Sequence, residues 1–98
     1  MLDENTAAGR LSVQVGQSFA PEDALRIHDL IASADPGTAV EIDFRRVRDC
    51  NDVALALLAR DLLSGRARVA LLGMSHHQQR LLGYLGVPAA RREAGERS

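Results

Sequence analysis

The chain has 98 residues, enough for one domain and too few for two. Its 46% hydrophobic and 26% charged content is that of a globular fold and speaks against disorder or a coiled coil. Twelve basic against thirteen acidic residues leave a net charge of -1, without the positive excess that a phosphate backbone demands, so nucleic acid is not the expected partner.

Aromatic residues are only 3%, so the core is expected to be thin and built from Leu, Ile, Val and Ala. The single cysteine, Cys50, excludes an internal disulfide framework and a multi-cysteine metal site. Residues 1–10 are polar with no apolar signal region, and no apolar run approaches the length of a membrane span. The expectation is a soluble, cytoplasmic protein without membrane insertion. All the basic residues are Arg, a bias that a GC-rich genome explains more simply than selection for guanidinium chemistry.

In chain order, residues 1–10 read as a flexible N-terminus. Residues 11–15 alternate Leu, Ser, Val, Gln, Val between two glycines, the pattern of a half-buried strand. Pro21 then opens a helix, with Glu22 and Asp23 where the dipole favours negative charge. Ala24, Ile27, Ile31 and Ala34 give it an inward face, and Asp35, Pro36 and Gly37 break it. A second strand is expected at 38–44. Asp49, Asn51 and Asp52 supply cap and first-turn acids for a second helix through Ser64, closed by Gly65. A third strand follows at 68–72, its apolar run fitting a sheet buried by helices. Ser75 then caps a third helix with Leu81, Leu82 and Leu85 as its buried stripe, and Gly86 stops it. Residues 88–98 form a polar tail.

The order β-α-β-α-β-α, with connections too long for hairpins, predicts an α/β fold with a small, mostly parallel sheet joined by right-handed crossovers. A single domain over 11–87 is expected.

The segments VEIDFRRVRDCNDVALALL at 40–58, VALLGMS at 69–75 and LLGYLGV at 81–87 resemble the STAS domain, the fold of bacterial anti-sigma factor antagonists. In that family a strand ends in Asp or Asn, a loop with one apolar anchor follows, and Asp-Ser-Ser-Gly-Leu opens a helix eight residues after the strand's polar residue. Here Asp43 is the strand's polar residue, Val47 the anchor, Asn51 the helix opener and Leu55 the family's Leu. The resemblance implies a protein-binding module that regulates or scaffolds through the start of the second helix. It implies either an anti-sigma-type kinase or other regulatory protein as partner, or the accessory role that some small STAS proteins play in lipid-transport ABC ATPase complexes. A small-ligand-binding module is a further alternative.

Departures from the family pattern carry as much information. Val53 stands at the position of the phosphoacceptor serine, and Asp52 at the serine before it, so no phosphoryl group can be accepted there. Only one strand is evident before the first helix where the family usually has two, and no last strand follows Val87.

The second helix is apolar almost all round. At about 100° per residue, Ala54, Leu55, Leu58, Ala59, Leu62 and Leu63 share one arc, while Arg60, Asp61 and Ser64 mark the other. Val53 and Leu57 fall on that polar side, an adjacent exposed pair that suggests a partner patch or a homodimer contact, unless the flanking loop covers it. The expected partner-binding residues are therefore Arg48, Asp49, Asp52, Val53, Leu57 and Arg60. Asp52 is explained by the helix dipole, or else stands in permanently for the phosphate of the family's switch.

Arg45, Arg46 and Arg48 crowd the preceding loop and could hold an acidic ligand. With Asp43, Asp49 and Asp52 interleaved, a self-neutralising cluster is the expected state. His76 and His77 are adjacent rather than four apart, which does not suit metal ligation on a helix. His76 is expected to be exposed, and His77 to lean toward Leu81 and Tyr84. Cys50 has no activating neighbour in sequence and reads as a small buried hydrophobe. A phosphate-cradling glycine loop, a serine elbow and a paired-carboxylate motif are all missing, so no enzyme activity and no cofactor are expected.

Overall fold

The computed structural model describes residues 2–7, 9–35, 37–65 and 67–88. Its principal strands are β1 (Leu2–Ala7), β2 (Arg10–Val15), β4 (Ala39–Asp43) and β6 (Arg68–Leu72), in the spatial order β1-β2-β4-β6. Two two-residue strands, β3 (Ser18–Phe19) and β5 (Asp49–Cys50), pair with each other beyond the main sheet. The helices are α1 (Pro21–Ser33), α2 (Asp52–Ser64) and α3 (His76–Tyr84). β2, β4 and β6 are parallel, joined by α1 and α2 as the long connections require, and β1 adds antiparallel to β2. The α/β architecture expected from the element order is present.

The flexible N-terminus expected at 1–10 is corrected by β1, which runs as a full strand from Leu2↔Val15 to Ala7↔Arg10. Its Asp3, Glu4, Asn5 and Thr6 are exposed and carry no apolar alternation, so the sequence gives no strand signal there. Main-chain pairing holds the strand, and Arg26 of α1 forks onto Glu4 at 2.8 and 3.0 Å. Charged side chains on such an edge discourage further pairing. Residues 89–98 of the expected tail lie outside the described residues.

Leu11, Val13 and Val15 of β2, Val40 and Ile42 of β4 and Leu71 of β6 share one sheet face by register. They form a single core with Ala24, Ile27 and Ile31 of α1, Ala54, Leu55, Leu58, Ala59 and Leu62 of α2, and Leu82 of α3. All three helices thus cover the same face, while Ser12, Gln14 and Glu41 lie half-buried on the other. Phe19 and Phe44 meet edge to face, ring centroids 5.0 Å apart, and close the end of the core beneath the β4–β5 loop.

Three burial expectations change. β6 is an edge strand, so Val69, Ala70 and Leu72 are only half-buried and Leu71 alone is fully enclosed. Leu63 is 51% exposed, at the rim of its arc where α2 leaves the sheet. Leu85 is 40% exposed because α3 ends at Tyr84, and Val87 takes the inward position that the helical phase assigned to Leu85.

Candidate functional site

The start of α2 is built by its cap. The Asn51 side chain accepts from Val53 N at 2.8 Å and Ala54 N at 3.2 Å, satisfying two of the donors that every helix start leaves open. Asn51 N in turn donates to Phe19 O at 3.0 Å, which ties the cap to β3. Ala54 and Leu55 are then buried, and Asn51, Asp52 and Val53 are presented outward. Val53, 58% exposed, is the most open apolar side chain of α2.

Of the six residues expected to bind a partner, Arg48, Asp49, Asp52, Val53 and Arg60 are exposed. Leu57 corrects the expectation of an adjacent exposed pair. It is half-buried against the core and sits in a groove between α1 and α2 with Leu25, His28 and Arg60. The helical phase holds, but α1 lies close enough to shelter a residue of α2 that the helical wheel leaves open.

The same proximity overturns the exposed position expected for Asp61. It is 8% exposed, and its Oδ1 lies 2.7 Å from His28 Nδ1. Neither residue stands out in the sequence, where 33 positions separate them; only the α1–α2 packing joins them.

The β4–β5 loop is braced by its main chain. Phe44 N donates to Leu72 O at 2.8 Å and Val47 N to Phe44 O at 3.0 Å, while Gln17 O accepts from Arg48 N at 2.7 Å and Asp49 N at 3.0 Å. Val47 packs half-buried against the core, as an anchor should. Asp43 accepts from Arg45 N at 2.8 Å, and Arg45 Nε and Nη2 fork onto its carboxylate at 2.7 to 3.0 Å. That guanidinium fork, opposed by burial, holds the Asp43 carboxyl below the usual carboxylate range and raises Arg45 above its ordinary value.

The self-neutralising cluster expected here is only partly realised. Arg45 is paired, whereas Arg46 and Arg48 form no ion pair among the described residues. The sequence alternates charges, but alternation along a loop does not by itself bring Arg46 and Arg48, both exposed, into ion pairs.

Cys50 is half-buried in β5, less enclosed than expected. Burial, with the Asp52 charge beside it, pushes its thiol up to about 11, which disfavours the thiolate. His76 is exposed as expected, and His77 is exposed as well. No group of three metal-ligating side chains occurs among the described residues. No helix among them is long and apolar enough to cross a membrane.

A scan against protein-family models and a search of curated proteins find no match to this chain.

Proposed function

We propose that this protein is a STAS-like module that regulates or scaffolds by binding a protein partner, without enzymatic chemistry and without a phosphorylation switch. The observation that carries the reading is the exposed first turn of α2, where Asn51 fixes the helix start and turns Asp52 and the 58%-exposed Val53 outward. Val53 has no hydroxyl, so a partner that reads this turn reads a constant surface.

Two features support the resemblance. The Asn51 cap lies eight positions after Asp43 at the end of β4, and Val47 packs inward between them. The β1–β2 hairpin supplies two strands of the main sheet ahead of the first helix, where the sequence offered one and the family pattern calls for two. Arg48, Asp49 and Arg60 frame the surface with both signs of charge, which would favour orientation of a partner over raw affinity.

The test is affinity capture from the native cell with the wild type and Val53→Arg side by side. The reading expects a protein retained by the wild type and lost by the variant, with circular dichroism unchanged. A serine kinase of the anti-sigma type in that fraction would indicate the regulatory role, and an ABC ATPase the transport-associated one. Equal capture by both chains would remove the start of α2 as the docking surface.

A further inference from the structure

A cavity of about 430 Å³ lies beside the β4–β5 loop, lined by Gly16, Gln17, Arg45, Arg46, Val47 and Arg48. Three arginines line it and no acidic residue does, although Arg45 also holds the Asp43 carboxylate next to it. It opens at the carboxyl ends of β2 and β4, the end of a parallel sheet at which ligands bind in open α/β folds. We propose that this cavity is a binding site for a phosphate-bearing anion, with Arg45, Arg46 and Arg48 as its donors.

The positioning of Arg45 is the most specific part of the geometry. Its Nε and Nη2 are taken by Asp43, which fixes the plane of the guanidinium and leaves Nη1 without a hydrogen bond among the described residues, on a side chain 69% exposed. Its stem lies across Gly73, in the turn after β6. A Cβ on Gly73 would collide with Arg45 Cγ and lie 3.1 Å from its Cα, so the bare backbone at Gly73 is what lets the arginine occupy this place.

Arg46 and Arg48 supply uncommitted charge. Both are exposed, and neither is held by an ion pair among the described residues. Asp49 and Asp52 are the acids that follow in sequence; both are exposed and neither pairs with them. Like charges held close together on a stiff loop repel one another, and an anion between them relieves that repulsion. The hydrogen bonds of Val47, Arg48 and Asp49 already fix the loop, so a ligand would not have to order it.

The donor set favours phosphate over a single carboxylate. A guanidinium presents a planar fork of donors, and several such forks match a group with three oxygens and about two negative charges. No aromatic side chain lines the cavity, since Phe19 and Phe44 are both buried, so there is no platform for a nucleobase. The site shares Arg48 with the proposed docking surface but does not depend on Val53 or on the identity of a protein partner.

The test is titration of ¹⁵N-labelled protein with inorganic phosphate, with chloride holding the ionic strength constant, followed through Arg Nε–H and loop amide signals. Saturable shifts are expected at residues 45–48 and at Gly16 and Gln17. The double variant Arg46→Ala/Arg48→Ala should bind at least about tenfold more weakly with an unchanged melting temperature. A parallel titration with N-acetyl-O-phosphoserine amide separates the two sources of phosphate. Tighter binding than inorganic phosphate points to a phosphorylated side chain of a partner, and equal or weaker binding to a free anion. Shifts no larger than the chloride control, or equal affinity in the double variant, would overturn the proposal. Because the probe is a simple anion on purified protein, that failure is distinct from a failure of partner capture.

Discussion

His28 Nδ1 and Asp61 Oδ1 lie 2.7 Å apart and join the middle of α1 to the last turn of α2. Asp61 is buried while the His28 ring is about half exposed, so the imidazole is the group through which this carboxylate meets a hydrogen-bond donor near the surface. Removing the ring leaves a largely buried carboxylate short of a partner, at a cost that water entry reduces but does not cancel. His28→Ala should therefore lower stability by about 1 to 2 kcal/mol, read as a shift in the urea midpoint with unchanged slope. A variant indistinguishable from wild type would mean that water replaces the imidazole without loss.

The Asp43–Arg45 fork predicts a pH signature. Because the folded carboxyl is held below its ordinary value of 3.8, its contribution is fully present above that value and fades as pH falls through the lowered one. Asp43→Asn should be less stable than wild type at neutral pH and should converge on it in acid. Paired urea titrations from pH 7 downward test this. A gap that stays constant into acid would assign the loss to packing rather than to the charge.

The periodic parts of the fold were legible. α2 (Asp52–Ser64) and β6 (Arg68–Leu72) fall where Asn51, Gly65 and the Val-Ala-Leu-Leu run put them, because caps and apolar patterning act locally. β1 was not, since an edge strand held by main-chain bonds and by the Arg26–Glu4 fork needs no apolar alternation. At the candidate site, the exposure of Val53 follows from helical phase alone. The shelter of Leu57, the burial of Asp61 and the stem of Arg45 over Gly73 depend on elements distant in sequence, and no local pattern encodes them.

Gly73 offers a direct probe of that last contact. Its φ of +70° is the left-handed region, where a side chain costs about 1 to 2 kcal/mol before any collision. Gly73→Ala adds the clash with Arg45 and should lose more than that. Arg45→Ala in the same background should restore only part of the loss, because the Arg45 Cα and Cβ would still crowd the new methyl at 3.1 and 3.2 Å. Full restoration would place all the strain in the arginine's outer stem, and no restoration would place it in the backbone.

Cys50 should behave as a sluggish thiol. With its pKa pushed up to about 11, chiefly by burial, alkylation by iodoacetamide should be slow near neutrality and keep rising well past pH 9. The folded state disfavours the thiolate that an unfolded chain forms from about pH 9.0, so stability tied to this group is full below 9.0 and declines as pH rises toward 11. Cys50→Ser should flatten that alkaline decline. A rate plateau at pH 9 in the wild type would contradict the raised value.

The start of α2 gives the sharpest comparison, because three neighbouring positions sit at three depths. Val53→Arg replaces a side chain 58% exposed and should change stability by no more than about 0.5 kcal/mol. Leu57→Arg enters the α1–α2 groove, where the long aliphatic stem can lie along Leu25 while its charge reaches water, so the expected loss is about 1 kcal/mol. Leu58→Arg buries a guanidinium at a position with no solvent exposure, beneath the helix and against the sheet, and should unfold the domain. Circular dichroism and urea unfolding of the three variants read this order directly. Partner capture then has a clear meaning, because Val53→Arg is the one variant of the three in which lost binding reports on the surface and not on the fold. If Val53→Arg melts the protein, the first turn of α2 is structural and the docking surface lies elsewhere; if it folds normally and loses its partner, the exposed valine is the contact.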